Sequence, residues 1–375
     1  MKARSERTAC TLLPRQREQA STPIPWWKNP SRLLSQFGDS DRDFRSCDWY
    51  RIVDAFVGID SEDPGLRMRF KELYGECLSD SPLTFENSRW LHCRVQVSDR
   101  APAHVITFTA PEEVDVVDFT LALFRDRGYI EMHHGSTDWR SLGLAGKTQP
   151  LLIAKGAKVA VDAREPWQSL IASCAINWAM WMQREMLFFH AAAVGIDGDG
   201  VLITGAKAAG KSTLSTALAA GGHAFLGDEI AAVRPRTMAL ESFRRAISIR
   251  PGPRDPKVEQ LLAGKLWPTE RFPDGTTRTR ALPAELFPGL RAFSLPLRWI
   301  FFLCGLEDNP RAEAFVPRAT DLRLLAPLAC TFWGGSPALP MMQVAKLLSS
   351  VNCYRLYPGS PEETARLVER IVRKR

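Results

Sequence analysis

The sequence lacks the features that define several classes of protein. Its eight cysteines form no CxxC pair and have no histidine at metal-ligand spacing, which argues against a disulfide framework or a zinc site. The longest apolar run, residues 170–182, is interrupted by Ser173 and Asn177 and falls short of the roughly 20 residues that span a bilayer. No apolar segment follows the positive charges of the N-terminus, so no secretory signal is predicted. We therefore expect a cytoplasmic protein with no membrane partner and with buried, reduced thiols.

The composition is that of a globular protein of more than one domain. The chain has 375 residues, of which 45% are hydrophobic and 24% charged, whereas single domains usually have about 100–200 residues. The formal net charge of +7 is concentrated at the ends, with +5 in residues 1–35, +4 in residues 366–375 and −2 between them. The body of the protein therefore lacks the basic surface of a nucleic-acid-binding domain, and no nucleic-acid partner is predicted.

Local patterns divide the chain into three parts. Residues 1–40 are rich in Arg, Ser and Pro and predict a basic, flexible arm, in which we expect Trp26 and Trp27 to pack back on the parent domain. Residues 41–165 mix short strand-like runs with helical stretches and predict a small α+β domain. Residues 166–375 form the third part, in which Pro166 starts an apolar helix that runs to about residue 186. The predicted elements elsewhere are strands at 105–108, 151–153, 159–161 and 297–303, a helix at 114–127 and a final helix from about Pro361.

The most specific motif is a phosphate-binding loop. An apolar run at 201–204 precedes a segment of the form G-x-x-x-x-G-K-[ST], and a helical stretch follows it, which is the setting that this motif requires. Backbone N–H groups of such a loop point at phosphate oxygens, the lysine reaches the β- and γ-phosphates, and the hydroxyl coordinates Mg²⁺. The predicted nucleotide-binding residues are Gly205, Ala206, Lys207, Ala208, Ala209, Gly210, Lys211, Ser212 and Thr213.

Two adjacent carboxylates, Asp228 and Glu229, end the next apolar strand. Beside a triphosphate, two acids at a strand end can supply a Mg²⁺ ligand and a base that accepts the proton of an attacking hydroxyl. An ordinary solvated strand end has the same sequence, so the interpretation depends on the neighbouring phosphate loop.

A β-hairpin is predicted immediately before the loop. Residues 188–196 resemble a strand, residues 197–200 contain an Asp-Gly turn signal, and residues 201–204 form the returning strand. The strand that enters the phosphate loop therefore pairs antiparallel with its predecessor. In doubly wound nucleotide-binding folds that strand is normally central and parallel.

Taken together, these segments resemble the catalytic core of the HPr kinase/phosphorylase family. The resemblance rests on His190-Ala-Ala-Ala-Val, the strand and loop at 201–212, and the segment from Gly222-His223 to Asp228-Glu229, and it is close over about residues 186–235. It implies an α/β, phosphoenolpyruvate carboxykinase-like kinase core with a mixed sheet, preceded here by the small α+β domain. It also implies ATP and Mg²⁺ as cofactors and is compatible with a homo-oligomer.

Roles for individual residues follow from the same resemblance. Asp228 is expected to act as the general base toward a substrate hydroxyl, and His190 to hydrogen-bond near it and position it. Lys211 is the third expected catalytic residue, through its contact with the phosphates. Ser212, Glu229 and Asp228 are the expected Mg²⁺ ligands.

The family members that phosphorylate HPr have an acidic residue and a further glycine inside the loop, where this chain has only alanines and Lys207. We therefore expect the acceptor to be a Ser or Thr hydroxyl of a peptide or protein other than HPr. Two alternatives stay open. A small-molecule kinase of the shikimate or gluconate type also has Gly-Lys-Ser-Thr at its phosphate loop, and a nucleotide-binding regulator needs no phosphotransfer.

Three further groups of residues have weaker signals. Arg244, Arg245 and Arg250 lie where an arginine could neutralise phosphate charge, but a solvated basic stretch has the same pattern. His133-His134 is interpreted as a loop feature rather than a metal pair, since adjacent strand positions point to opposite faces. Trp178 and Trp181, three residues apart on a helix, are expected in the core.

Overall fold

The computed structural model describes residues 25–37, 47–79, 88–112, 128–132, 139–252, 254–318, 321, 325 and 338–374. The predicted helix at 114–127 and the pair His133-His134 lie outside the described residues. Within the described part, no helix is long and apolar enough to cross a bilayer.

The chain first forms an eight-stranded, largely antiparallel sheet in the order β1-β2-β3-β4-β8-β7-β6-β5. Its strands are β1 (Asp48–Ile52), β2 (Ala55–Ser61), β3 (Arg89–Val97), β4 (Ala103–Thr109), β5 (Tyr129–Met132), β6 (Arg140–Leu144), β7 (Pro150–Lys155) and β8 (Lys158–Asp162). The predicted strands at 105–108, 151–153 and 159–161 fall inside β4, β7 and β8 and are confirmed. Among the described strands of this sheet, only β2 and β3 pair in parallel, and a helix at Pro64–Tyr74 lies in the connection between them.

Two helices cover one face of this sheet, and residues 25–37, the described part of the N-terminal arm, pack on a separate apolar cluster. Helix α1 spans Pro30–Leu34, α2 spans Pro64–Tyr74, and a 3₁₀ turn at Gly75–Cys77 extends α2. Helix α3 (Gln168–Trp181) shares a core with α2 and β1 to β3, and Trp178 is buried there as predicted. Trp26 packs with residues of α1, β4, β7 and β8, which confirms that this part of the arm folds back on the first sheet.

Helix α3 is shorter than predicted. It begins two residues after Pro166 and ends at Trp181 rather than near residue 186. The buried Gln183 amide donates to the carbonyl of Ala179, at 2.9 Å, and to that of Ile52 in β1, also at 2.9 Å. The side chain therefore satisfies the Ala179 carbonyl, which a longer helix would have bonded itself. Because α3 packs on the first sheet, the apolar core of that sheet includes residues beyond 165. The predicted domain boundary at residue 165 stays a prediction.

The second sheet is mixed and contains the phosphate loop. Its order is β12-β10-β11-β18-β14-β13-β9, with β20 beside β18 and β19 beside β20. The strands are β9 (Leu187–Phe189), β10 (Ala192–Ile196), β11 (Asp199–Gly205), β12 (Ala224–Gly227), β13 (Ala231–Arg234), β14 (Ala239–Glu241), β18 (Ser294–Leu303), β19 (Arg311–Ala314) and β20 (Asn352–Tyr357). Strand β11 pairs antiparallel with β10 and parallel with β18. The predicted hairpin is confirmed, as is the strand at 297–303.

Three details of the hairpin region follow from its backbone. The turn consists of Asp197 and Gly198, with φ values of 49° and 85°, the positive-φ geometry that a two-residue hairpin turn needs. The single strand predicted at 188–196 is wrong, because the chain changes partners at His190. Phe188 pairs with β13, whereas Ala192 pairs with β11.

The remaining elements are a small sheet and several helices, of which the strand Ile247–Ile249 and the start of the last helix line the cavity at the phosphate loop. A three-stranded sheet has the order β15-β17-β16, formed by β15 (Ile247–Ile249), β16 (Thr269–Arg271) and β17 (Thr277–Ala281). The remaining helices are α4 (Lys211–Ala220), α5 (Pro256–Ala263), α6 (Pro283–Leu286), α7 (Ala338–Ser350) and α8 (Pro361–Arg373). Helix α8 begins where the sequence predicted it, and it packs against α4.

Candidate phosphotransfer site

The phosphate loop joins β11 directly to α4. Gly205 has φ 153°, and a Cβ there would lie 2.9 Å from the Leu303 carbonyl oxygen in the parallel strand β18, so only glycine fits. Gly210, the residue before α4, has φ 98°. These backbone conformations turn the chain sharply between strand and helix, as an anion-binding loop requires.

Ala208 adopts an unfavourable backbone conformation inside the loop. Its φ of 68° lies in the left-handed region, which costs a residue with a Cβ about 1–2 kcal/mol. We expect Ala208→Gly to raise the free energy of unfolding by about 0.5–1 kcal/mol, because relief of this cost exceeds the entropy that glycine loses on folding. Urea denaturation measures the change.

Ala206 offers the matched control in the same loop, since it is not among the described residues with positive φ. Ala206→Gly should lower the free energy of unfolding by about 0.5–1 kcal/mol, through backbone entropy alone. Equal effects from the two substitutions would contradict a local left-handed cost at Ala208.

Lys211 turns back into the loop. Its Nζ donates to the carbonyl oxygens of Gly205 and Ala206, at 2.9 Å each. Burial lowers the pKa of Lys211, although Asp228 acts in the opposite direction. The ammonium group is thus held over the loop, where the phosphates of a bound nucleotide would lie.

Ser212 and Asp228 meet at the start of α4. The Ser212 hydroxyl donates to Asp228 Oδ1 at 3.0 Å. Asp228 is 1% exposed, and its Oδ2 has no hydrogen-bond partner among the described residues. Burial, followed by the charge of Glu229, raises the pKa of Asp228 to about 6. A buried carboxylate oxygen without a partner, next to a loop hydroxyl, fits a divalent cation or a proton in transfer.

Glu229 is held by arginines. It has φ 62°, and its Oε2 lies 3.2 Å from Arg245 Nη1 and 4.0 Å from Arg280 Nη1. The structure therefore brings both predicted acids to the same end of β12. The two differ in surroundings, since Asp228 faces the loop hydroxyl and Glu229 forms ion pairs.

His190 lies at the break between β9 and β10, close to the two acids. Its Nδ1 lies 3.1 Å from the Glu229 carbonyl oxygen, so Nδ1–H donates there when the ring is neutral. The contact is to the backbone next to Asp228 and not to the Asp228 carboxylate. Burial, and then the charge of Lys211, lowers the pKa of His190, which favours the neutral ring at neutral pH.

The three candidate arginines occupy different environments. Arg244 is buried in an ion pair with Glu76, at 2.6 Å, and donates to the carbonyls of Phe225 and Leu290. Arg245 lies between Glu229 and the ring of Tyr74. Arg250 is exposed and lines the cavity over the phosphate loop. Of the three, Arg250 is therefore the one placed to meet a ligand in that cavity.

The cavity has a volume of about 620 Å³, within the range of roughly 300–1,000 Å³ that small-molecule sites occupy. It is bordered by the loop, by His190, Asp228 and Glu229, by the edge of β15, and by the turn at 358–361 before α8. The Ser248 hydroxyl, in β15, is buried at the wall of the cavity, and no residue in the described part of the chain forms a hydrogen bond with it. Sequence reasoning missed Ser248 and the turn, because both reach the site through pairings that are distant along the chain.

No preformed metal cage accompanies these groups. Within the residues that the structure describes, no three His, Cys, Asp or Glu side chains cluster at metal-binding distances. Magnesium at nucleotide sites is commonly held by one or two protein groups together with phosphates. The pair Ser212 and Asp228 fits that mode of binding. Among the described residues, Cys77, Cys93, Cys304 and Cys353 form no disulfide.

Comparisons with known proteins yield structural similarity only. No protein-family model matches the chain, and no curated protein sequence does. Among solved structures, the chain is similar to the HPr(Ser) kinase/phosphatase from Coxiella burnetii, with 17% sequence identity and a TM-score of 0.24. The match covers 50% of this chain and 93% of that chain. The mixed α/β fold of the protein is established by its own sheets and helices.

Proposed function

We propose that the protein is an ATP- and Mg²⁺-dependent phosphotransferase that phosphorylates a Ser or Thr hydroxyl of a peptide or protein. The observation that carries the proposal is Asp228, a buried carboxyl with a raised pKa and a free oxygen, bonded to the first hydroxyl of a phosphate loop. A structural acid at a strand end would instead be solvated or fully paired. The phosphoenolpyruvate carboxykinase-like form of the fold belongs to the same proposal.

Each residue then has a defined task. The loop N–H groups at 206–212 and the Lys211 ammonium bind the phosphates, and Ser212 and Asp228 would hold Mg²⁺, with Glu229 as a further ligand when its arginines release it. Mg²⁺, when bound, neutralises phosphate charge. Asp228 accepts the proton of the acceptor hydroxyl, which requires its ionised form. His190 fixes the backbone of the Asp228-Glu229 turn through the Glu229 carbonyl.

Transfer of radiolabel from γ-labelled ATP tests the proposal. Label on a peptide or protein hydroxyl, lost in Lys211→Ala and Asp228→Asn, supports it. Label on a metabolite would instead indicate a small-molecule kinase. ATP binding without turnover, whatever acceptor is offered, would indicate a nucleotide-binding regulator.

Nucleotide affinity should depend strongly on Lys211. Charge-assisted hydrogen bonds contribute about 1.5–3 kcal/mol each, so Lys211→Ala should weaken ADP binding about 10- to 100-fold, as measured by calorimetry. Lys257→Ala is the control, because Lys257 is exposed on α5 and does not line the cavity. Similar losses in both variants would mean that overall positive charge, rather than the loop, attracts the nucleotide.

A further inference from the structure

The acids of the candidate site are connected to the N-terminal helix α2 by a row of alternating charges. Arg280 Nη1 lies 4.0 Å from Glu229 Oε2, and Arg280 Nη2 lies 2.6 Å from Glu270 Oε2. Glu270 Oε1 in turn lies 2.6 Å from Nη2 of Arg69, a residue of α2. The row therefore reads Glu229, Arg280, Glu270, Arg69, and it begins next to Asp228.

The row is withdrawn from solvent over most of its length. The side chains of Arg280, Glu270 and Arg69 are 4%, 9% and 11% exposed. Ser169, at the start of α3, is inserted between the last two, accepting from Arg69 Nε at 2.9 Å and donating to Glu270 Oε1 at 2.8 Å. Ion pairs buried in this way are screened little by solvent, so a change at one member alters the pairing of the next.

The contacts within the row compete with one another. Arg280 is shared between Glu229 and Glu270, and Glu270 is shared between Arg280 and Arg69. A stronger hold of Glu270 on Arg280 weakens the hold of Arg280 on Glu229. Arg69 draws Glu270 toward α2 and therefore favours the pairing of Arg280 with Glu229.

We infer that Glu270 and Arg69 are positioning residues through which the N-terminal domain sets how firmly arginines hold Glu229, and hence how readily Glu229 joins a metal at the nucleotide site. The inference rests on the proposed function for the metal and nucleotide. It assigns a task to the α+β domain, since the row ends on one of its helices.

Substitutions at Glu270 and at Arg69 are expected to change metal binding by Glu229 in opposite directions. Glu270→Gln leaves Arg280 to pair with Glu229 alone, so the metal loses a ligand. Arg69→Met leaves Glu270 to pair with Arg280 alone, so Glu229 is held mainly by Arg245 and joins the metal more readily. A general loosening of the fold would move both variants in the same direction.

The experiment measures ADP affinity by calorimetry on the full chain, once with saturating Mg²⁺ and once with EDTA. The quantity compared is the ADP affinity with Mg²⁺ divided by the ADP affinity with EDTA. Effects of a substitution on ADP binding itself cancel in this ratio. We expect Glu270→Gln to lower this ratio and Arg69→Met to raise it, each by about 2- to 30-fold, the range of coupling measured through networks of side chains. Arg69→Lys keeps the charge but not the planar fork, and we expect a ratio between those of the wild type and Arg69→Met.

Arg67→Met is the matched control. Arg67 lies on the same helix, but its guanidinium pairs with Asp48 and Asp60 of the first sheet, so the ratio should stay at the wild-type value. Thermal unfolding without nucleotide shows whether each variant is folded, and Glu270→Gln tests the inference alone if Arg69→Met does not fold.

Several outcomes would overturn the inference. They are equal ratios in all variants, shifts of Glu270→Gln and Arg69→Met in the same direction, an Arg69→Lys ratio equal to the wild type's, or a wild-type ratio of one. A wild type that binds no ADP under either condition would instead refute the proposed function itself.

Discussion

Asp228→Asn is expected to make the nucleotide-free protein more stable and to slow phosphotransfer strongly. Burial, and then Glu229, raises the pKa of Asp228 to about 6 from 3.8, and each pKa unit corresponds to about 1.4 kcal/mol between the two protonation states. At pH 8 Asp228 is ionised in both states, but its carboxylate is less favourable in the folded protein than in the unfolded chain. An uncharged amide removes this cost, so we expect a gain of about 1–3 kcal/mol in the free energy of unfolding.

The pH dependence of that gain identifies its source. A group whose pKa is higher in the folded state stabilises the fold below its unfolded pKa, and this contribution is lost as the pH rises through the folded pKa. The advantage of Asp228→Asn should therefore be small at about pH 4, grow up to about pH 6 and stay constant above it. Urea denaturation at several pH values measures this profile.

Asp255→Asn is the matched control, because Asp255 is also buried but accepts a hydrogen bond from the Lys257 N–H as the N-cap of α5. Asparagine caps helices about as well, so we expect little change at any pH. A loss of stability in Asp228→Asn at pH 8 would contradict the argument, since it would show that the carboxylate is favourably bound in the free protein.

The same substitution should lower the rate of phosphotransfer about 10²- to 10⁴-fold, the usual contribution of a general base. For the wild type, kcat/KM should fall on the acidic side with a midpoint near pH 6, because this ratio reports the free enzyme. His190 is a second titratable group of the site, whose pKa burial and then the charge of Lys211 lower, and His190→Asn distinguishes the two groups. If kcat/KM of the His190→Asn variant still falls at acidic pH, the titrating group is Asp228. If that fall disappears, the titrating group is His190.

Local sequence was sufficient for the elements whose contacts are local. The hairpin turn at 197–198, strand β11, the loop and the start of α4 follow one another along the chain, and glycine spacing and apolar periodicity define them. The end of α3 could not be predicted from local sequence, because it depends on a hydrogen bond from Gln183 to a carbonyl in β1, about 130 residues earlier. The break at His190 likewise depends on pairing with two different strands.

The surroundings of the acids could not be predicted for a related reason. Arg244, Arg245 and Arg250 are equivalent in the sequence, and only their partners distinguish them: Glu76 for the first, Glu229 for the second and the open cavity for the third. Glu76 is 168 residues from Arg244. Pairings at such separations depend on the fold as a whole, whereas the phosphate loop is formed by consecutive residues and can be recognised from them.

Glu76→Ala should cause a large loss of stability without any direct contact with the site. Glu76 Oε2 lies 2.6 Å from Arg244 Nε, and the two side chains are 6% and 7% exposed. The other oxygen, Oε1, accepts from the Ala284 N–H. Removal of one partner leaves Arg244 charged in a site closed to water, and such losses are about 3–5 kcal/mol. Urea denaturation of the nucleotide-free protein measures the change.

Two comparisons separate this buried pair from ordinary surface charge. Glu185→Ala removes the partner of Arg89 in another pair of residues distant in sequence, but both side chains are 42% exposed, so the expected loss is only about 0.2–1 kcal/mol. The double variant Glu76→Leu/Arg244→Met removes both charges and should recover part of the loss, since the uncompensated guanidinium is gone. A double variant less stable than Glu76→Ala would mean instead that Arg244 stabilises the fold mainly through the carbonyls of Phe225 and Leu290, which methionine cannot bond.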